Sequence, residues 1–194
     1  MEKLKTFFRS RRHAAILIMF IIQVASQAIG AAFYSSFPDW FWTTCDALIL
    51  VTPLMFGLAA GVICCLPNFV AEILWLIVKG YLGAFLHGVA FMAAVVILGL
   101  AGQMMERKLQ KHQTGKGLTM SLCVAYTVLF ELGLILENFL YCLLRAIFIV
   151  SKTTPLTLKA IFKSTLSVGN PVCVVLLIAA VVLIHRSGNS GVMD

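Results

Sequence analysis

Apolar residues fill six runs of the chain, five of them long, and few polar positions interrupt them. Ala14 to Tyr34 is the first. Cys45 to Phe56 is a short second run that contains Asp46, with Pro53 as its kink. Leu58 to Val78 is the third, interrupted by Pro67-Asn68 and carrying Glu72, and Tyr81 to Gln103 is the fourth, with His87 near its start. Leu118 to Val150 is the fifth, and Val168 to Ile184 the sixth, with Asn170-Pro171 at its head. Runs of this length and apolarity predict helices that cross a bilayer. The stretches between them are predicted as connections. Ser35 to Trp42 is a loop with an aromatic edge (Trp40, Phe41, Trp42), suited to the headgroup level or to closing over a ring-shaped ligand. Gly57 to Gly61 is a tight turn, Lys79-Gly80 a very short link, Met104 to Gly117 a hydrophilic loop, and Ser151 to Ser167 a polar connection.

The fifth run is the most informative. Glu131, Asn138 and Arg145 recur every seven residues and form one stripe of a helix, with Tyr141 beside it and Glu137 flanking it. Leu132, Leu136, Phe139, Leu140 and Leu143 fall on the opposite side. One face suits lipid and the other a polar interior. A carboxylate at mid-bilayer costs about 2.5–3.5 kcal/mol on insertion scales, so such groups face a partner, a bundle interior or a watery site. The stripe is therefore either a structural ion-pair system or one wall of a ligand site. As a continuous helix its 33 residues would measure about 50 Å against a hydrocarbon core of about 30 Å, so it must tilt, break or project.

Composition sharpens this picture. The 194 residues are 61% hydrophobic and only 12% charged, with mean hydropathy +0.99. That describes an all-α integral membrane protein, a compact bundle of six transmembrane helices forming a single domain over residues 1–194. The net charge of +7 fits flanks beside anionic lipid and gives no basic face for nucleic acid. Met1 to His13 is basic and precedes an apolar run, as in a signal peptide, but apolarity continues past Ala25, Ala28 and Gly30 to Phe33, which predicts a retained span. With six spans, ten of the fifteen basic residues (Lys3, Lys5, Arg9, Arg11, Arg12, Arg107, Lys108, Lys111, Lys116, Arg186) share one side, which makes both termini cytoplasmic in a cell membrane, whereas a short second run that is only re-entrant changes the parity. The six cysteines form no C-x-x-C and no ligand spacing with histidine, so neither a disulfide framework nor a metal site is expected.

Counting depth at 1.5 Å per residue brings the polar groups to one level. Entering from the cytoplasm, the fifth span carries Glu131 to mid-bilayer and Glu137, Asn138 and Tyr141 into the outer half. His87 lies about 9 Å down the fourth span from outside. Asp46 heads the second span, Glu72 sits in the outer part of the third, and Asn170 opens the sixth. With Trp40 and Trp42 above them, these groups form a candidate pocket open to the outside, and the acid excess favours a neutral or cationic ligand. A lone intramembrane histidine such as His87 is also satisfied by a nearby carbonyl in many proteins. Ala25, Ala28 and Ala32 leave one face of the first helix smooth for close helix packing. No phosphate-binding glycine loop, no H-E-x-x-H and no G-x-S-x-G is present, so the chain is not read as an enzyme, needs no cofactor, and depends on a partner or an ion gradient for any active transport.

Six short spans in this length resemble the substrate-binding S component of energy-coupling factor (ECF) vitamin transporters. The local match runs from Trp42 to Asn68: Asp46 at the head of the second helix, then Phe56-Gly57, Ala60-Gly61 and Asn68, similar to the D…FG..AG…N run of that family, with Leu58 where the family's run carries proline. Ala28 and Ala32 resemble the first-helix alanine motif that meets the coupling subunit. The resemblance implies a six-helix bundle, a vitamin or related micronutrient as ligand, and a transmembrane coupling subunit plus two ATPases as partners. Two other readings compete: a sensor or assembly subunit that binds a protein through Ala28 and Ala32, and an intramembrane enzyme using Glu131, Glu137 and His87 for acid–base work.

Overall fold

The computed structural model describes residues 11–33, 39–149 and 169–186. Among these there are six helices and no strand: α1 (Arg11–Phe33), α2 (Asp39–Phe56), α3 (Leu58–Lys79), α4 (Leu82–His112), α5 (Gly115–Phe148) and α6 (Gly169–Arg186). Four of them, α1, α3, α4 and α5, are long and apolar enough to cross a membrane. The polar connection expected over 151–167 lies outside the described residues.

Backbone chemistry sets the boundaries. A single residue separates α2 from α3: Gly57 has φ 84°, a region that only glycine enters without strain. α3 ends at Gly80, whose φ of 65° is left-handed and whose N–H donates to the Leu76 carbonyl, closing the helix. Three expectations are corrected here. The turn over Gly57–Gly61 reduces to Gly57, because Leu58 onward is already helical. Pro67 lies inside α3 and does not interrupt it. The helix α2 begins at Asp39, so Trp40 and Trp42 belong to its first turn and not to a loop.

The largest departure is at the hydrophilic stretch 104–117. It is not a loop: α4 continues through it to His112 and α5 starts at Gly115, leaving only Gln113 and Thr114 in extended conformation. At 1.5 Å per residue the 31-residue α4 and the 34-residue α5 are about 46 and 51 Å long, both longer than a bilayer core. The polar ends form a helical hairpin beyond the apolar section, with Arg107, Lys108, Lys111 and Lys116 exposed. Of the three options the length of α5 left open, a break is removed.

The short second helix is the centre of the fold. It packs against all five other described helices, and Ala47, Ile49, Leu50, Thr52 and Leu54 are shut off from the surface all round. A helix buried on every side shows no amphipathic stripe, which is why it reads only as a short apolar run. Gly61 of α3 lies against it: a Cβ there would stand 2.5 Å from the Cβ of Pro53, so glycine permits the approach. The outer surface is apolar instead of charged. Ile77 is 72% exposed and Val78 70%; of the α5 face expected to be outward, Leu132, Phe139 and Leu143 are exposed, while Leu136 and Leu140 are half-buried.

Candidate functional site

Three carboxyl groups of the bundle meet around one imidazole. His87 sits in the second turn of α4, just past the reversal at Gly80 and Tyr81. Its Nδ1 is 3.0 Å from Oε1 of Glu72 on α3. Its Nε2 is 3.4 Å from Oε1 of Glu137 on α5. Tyr141, one turn along α5 from Glu137, stands edge-on to the ring at 5.4 Å between centroids and an interplanar angle of 86°. Phe91, one turn along α4, closes another side at 5.8 Å. Asp46 of α2 is within electrostatic reach of His87, Glu72 and Glu137. Three carboxyl groups and one imidazole thus come together from four helices.

Close approach makes this possible. A Cβ on Gly88 would lie 3.1 Å from the Cβ of Glu72 and 3.2 Å from a ring carbon of Phe69, so the missing side chain at 88 is what lets α3 bring Glu72 beside His87. Glu137 is only 5% exposed. Its Oε1 accepts no hydrogen bond, despite the nearby imidazole nitrogen. A neutral imidazole has one N–H and can donate to only one of its two carboxylates; donating to both requires a proton on each nitrogen. Proton occupancy and hydrogen bonding are therefore coupled here, and a net charge on the buried Glu137 has to be compensated by a proton or a counter-charge. Among the described residues no group of three or more His, Cys, Asp or Glu is arranged to hold a metal ion.

The other sequence-derived candidates lie as follows. Asn138 turns back on its own helix, its Nδ2 donating to the Leu134 carbonyl at 2.8 Å. Glu131 is half-buried about 9 Å along α5 from Glu137 and is not among the charges that act on His87. Arg145 bears on the Tyr141 hydroxyl. The side chains of Trp40, Trp42 and Asn170 lie outside the described residues. Ala25, Ala28 and Ala32 are all exposed on α1.

Two polar constellations escaped sequence reasoning. Glu106, 8% exposed, accepts from the Tyr126 hydroxyl at 3.3 Å and from Gln110 Nε2 at 2.9 Å, clamping the α4–α5 hairpin. Its neighbours Arg107 and Lys108 suggested a loop, yet Val95, Leu98, Gly102 and Glu106 continue the helical spacing of the buried face. The other joins α1 to α3: Gln27 Nε2 donates to Asn68 Oδ1 at 3.0 Å, beside a separate apolar groove of about 590 Å³ lined by Phe20, Val24, Ala28, Pro67, Val70 and Trp75 among others. The groove touches none of the residues around His87.

Over the described residues, fold and site together define a helical bundle with an apolar exterior and a cluster of ionisable groups between its helices. The chain matches no family model, no curated protein and no solved structure.

Proposed function

We propose that this chain spans a cell membrane as a six-helix bundle with both termini cytoplasmic, and that it is the substrate-binding subunit of an ECF-type importer. In this reading it captures a small vitamin-like solute from the outer face and relies on a coupling subunit and two partner ATPases for uptake. The observation that carries it is the imidazole of His87 held between Glu72 and Glu137 from two other helices, with Asp46 and Tyr141 alongside. Holding ionisable groups within a bilayer is costly, and a carboxylate oxygen without a donor is the sort of polar atom that a ligand completes. The exposed small-residue face of α1 supports a membrane partner.

Native mass spectrometry of gently extracted protein tests this. A single small molecule released on activation, and lost in Glu137→Ala with the protein still monodisperse, is the expected result. Protein that carries no small molecule, and takes none from a metabolite extract, removes the binding reading.

The groove beside Ala28 favours a second reading, a sensor or assembly subunit whose α1–α3 face holds another membrane protein. Stable capture of a membrane protein that Ala28→Trp abolishes, without any bound solute, selects it.

A further inference from the structure

Two buried atoms on α5 bear on which solute the cluster takes. Among the described residues Oε1 of Glu137 accepts no hydrogen bond, with His87 Nε2 standing 3.4 Å away, and Nε of Arg145 donates none. Between them, four residues from each, stands Tyr141. Positions 137, 141 and 145 share one stripe of the helix, which therefore presents an acceptor, a phenol ring and a donor in order, over about 12 Å of helix axis.

The two ends differ in charge. Around Glu137 lie Asp46, Glu72 and the His87 ring. Glu72 and Glu137 both pair with His87, and among the described residues Arg145 takes part in no ion pair. Arg145 instead bears on the Tyr141 hydroxyl. The deep end is thus acidic, and the other end is a guanidinium with no carboxylate partner among the described residues. A solute carrying only a positive charge completes Glu137 and leaves Nε of Arg145 unsatisfied. One carrying only a negative charge completes Arg145 but brings no donor to Glu137. Buried polar atoms left unpaired are the expensive case.

Resting on the binding reading given above, we propose that the site selects an elongated dipolar solute, with a cationic N–H group at Glu137 and an anionic group at Arg145, its body lying along Tyr141.

The test uses a matched probe series on the full chain in lipid nanodiscs, read by calorimetric titration and thermal unfolding: 6-aminohexanoate with both charges, hexylamine with the positive one, hexanoate with the negative one, and glycine, which is too short to reach both ends. The expected result is that 6-aminohexanoate binds about tenfold or more tightly than the other three. Arg145→Met should reduce it to the level of hexylamine, and Glu137→Gln to the level of hexanoate. Arg145→Lys, which keeps a charge, should retain part of the preference. Equal binding of hexylamine and 6-aminohexanoate, a preference that survives Arg145→Met, or no binding by any probe overturns the dipolar assignment. If Glu137→Gln fails to fold, the Arg145 variants alone decide. A solute found by native mass spectrometry together with an unselective probe series removes the dipolar class and leaves the binding reading standing; absence of both removes the two together.

Discussion

Nδ1 of His87 lies 3.0 Å from Oε1 of Glu72, a contact across fifteen residues that ties the start of α4 to α3 over the reversal at Gly80. It lets one side chain organise acids from different helices, because the opposite ring nitrogen faces Glu137. Removing the ring leaves two carboxylates turned toward each other with nothing between them. His87→Ala is therefore expected to destabilise the protein by about 1–3 kcal/mol, the cost of leaving a buried polar partner unsatisfied. His87→Gln, which keeps a donor, should lose less. Thermal unfolding in one detergent across the three proteins checks the order, and equal stability of all three would show that the contact contributes nothing.

The same geometry depends on an absent methyl group. Gly88→Ala places a Cβ 3.1 Å from that of Glu72, tighter than ordinary packing allows, so α3 and α4 must separate slightly. Loss of solute binding with a modest fall in unfolding temperature is expected. Unchanged binding would mean that Glu72 moves freely and is not held in register by Gly88.

Helix packing gives a sharper contrast. A Cβ on Gly61 meets Pro53 at 2.5 Å, and one on Gly99 meets the Leu58 backbone at 2.8 Å, whereas nothing lies within 4 Å of Gly117. Gly61→Ala and Gly99→Ala should each cost about 1–3 kcal/mol, and Gly117→Ala should be neutral or slightly stabilising through its better helix propensity. Comparable stability for the three variants contradicts the packing of α2 and α4 against α3.

The hairpin clamp is open to a double-mutant cycle. Tyr126→Phe and Glu106→Gln each disturb the hydrogen bond between them, and the cycle should give a coupling of about 0.5–3 kcal/mol. Zero coupling would mean that the two side chains are merely neighbours.

The proposed docking face on α1 predicts separable phenotypes. Ala32 is exposed on α1, so Ala32→Trp should leave folding and solute binding intact while blocking partner assembly by bulk. Reduced binding and assembly together would place the residue inside the packed bundle.

The apolar runs alone determined that the protein is helical, and nearly where α1, α3, α5 and α6 lie, because a long apolar run is a property of the local chain. That Glu137 and Tyr141 share a side of α5 was legible for the same reason, since helical periodicity fixes which residues share a face before any partner is known; the seven-residue stripe itself does not gather at His87, because Asn138 bonds its own helix and Glu131 stands apart. The meeting of His87 with Glu137 was inferable only as a shared depth; that the two ring nitrogens take Glu72 and Glu137 was not, since a contact between helices depends on their rotation and spacing, and here on the missing side chain of Gly88. The central place of α2 was likewise invisible, because a helix buried on all sides carries no polar face to mark its orientation. Tertiary structure also decided the fate of the charged stretch 104–117. Its charges suggested a loop, but Glu106 finds Tyr126 on the neighbouring helix, and that partner turns a hydrophilic sequence into the packed end of a hairpin.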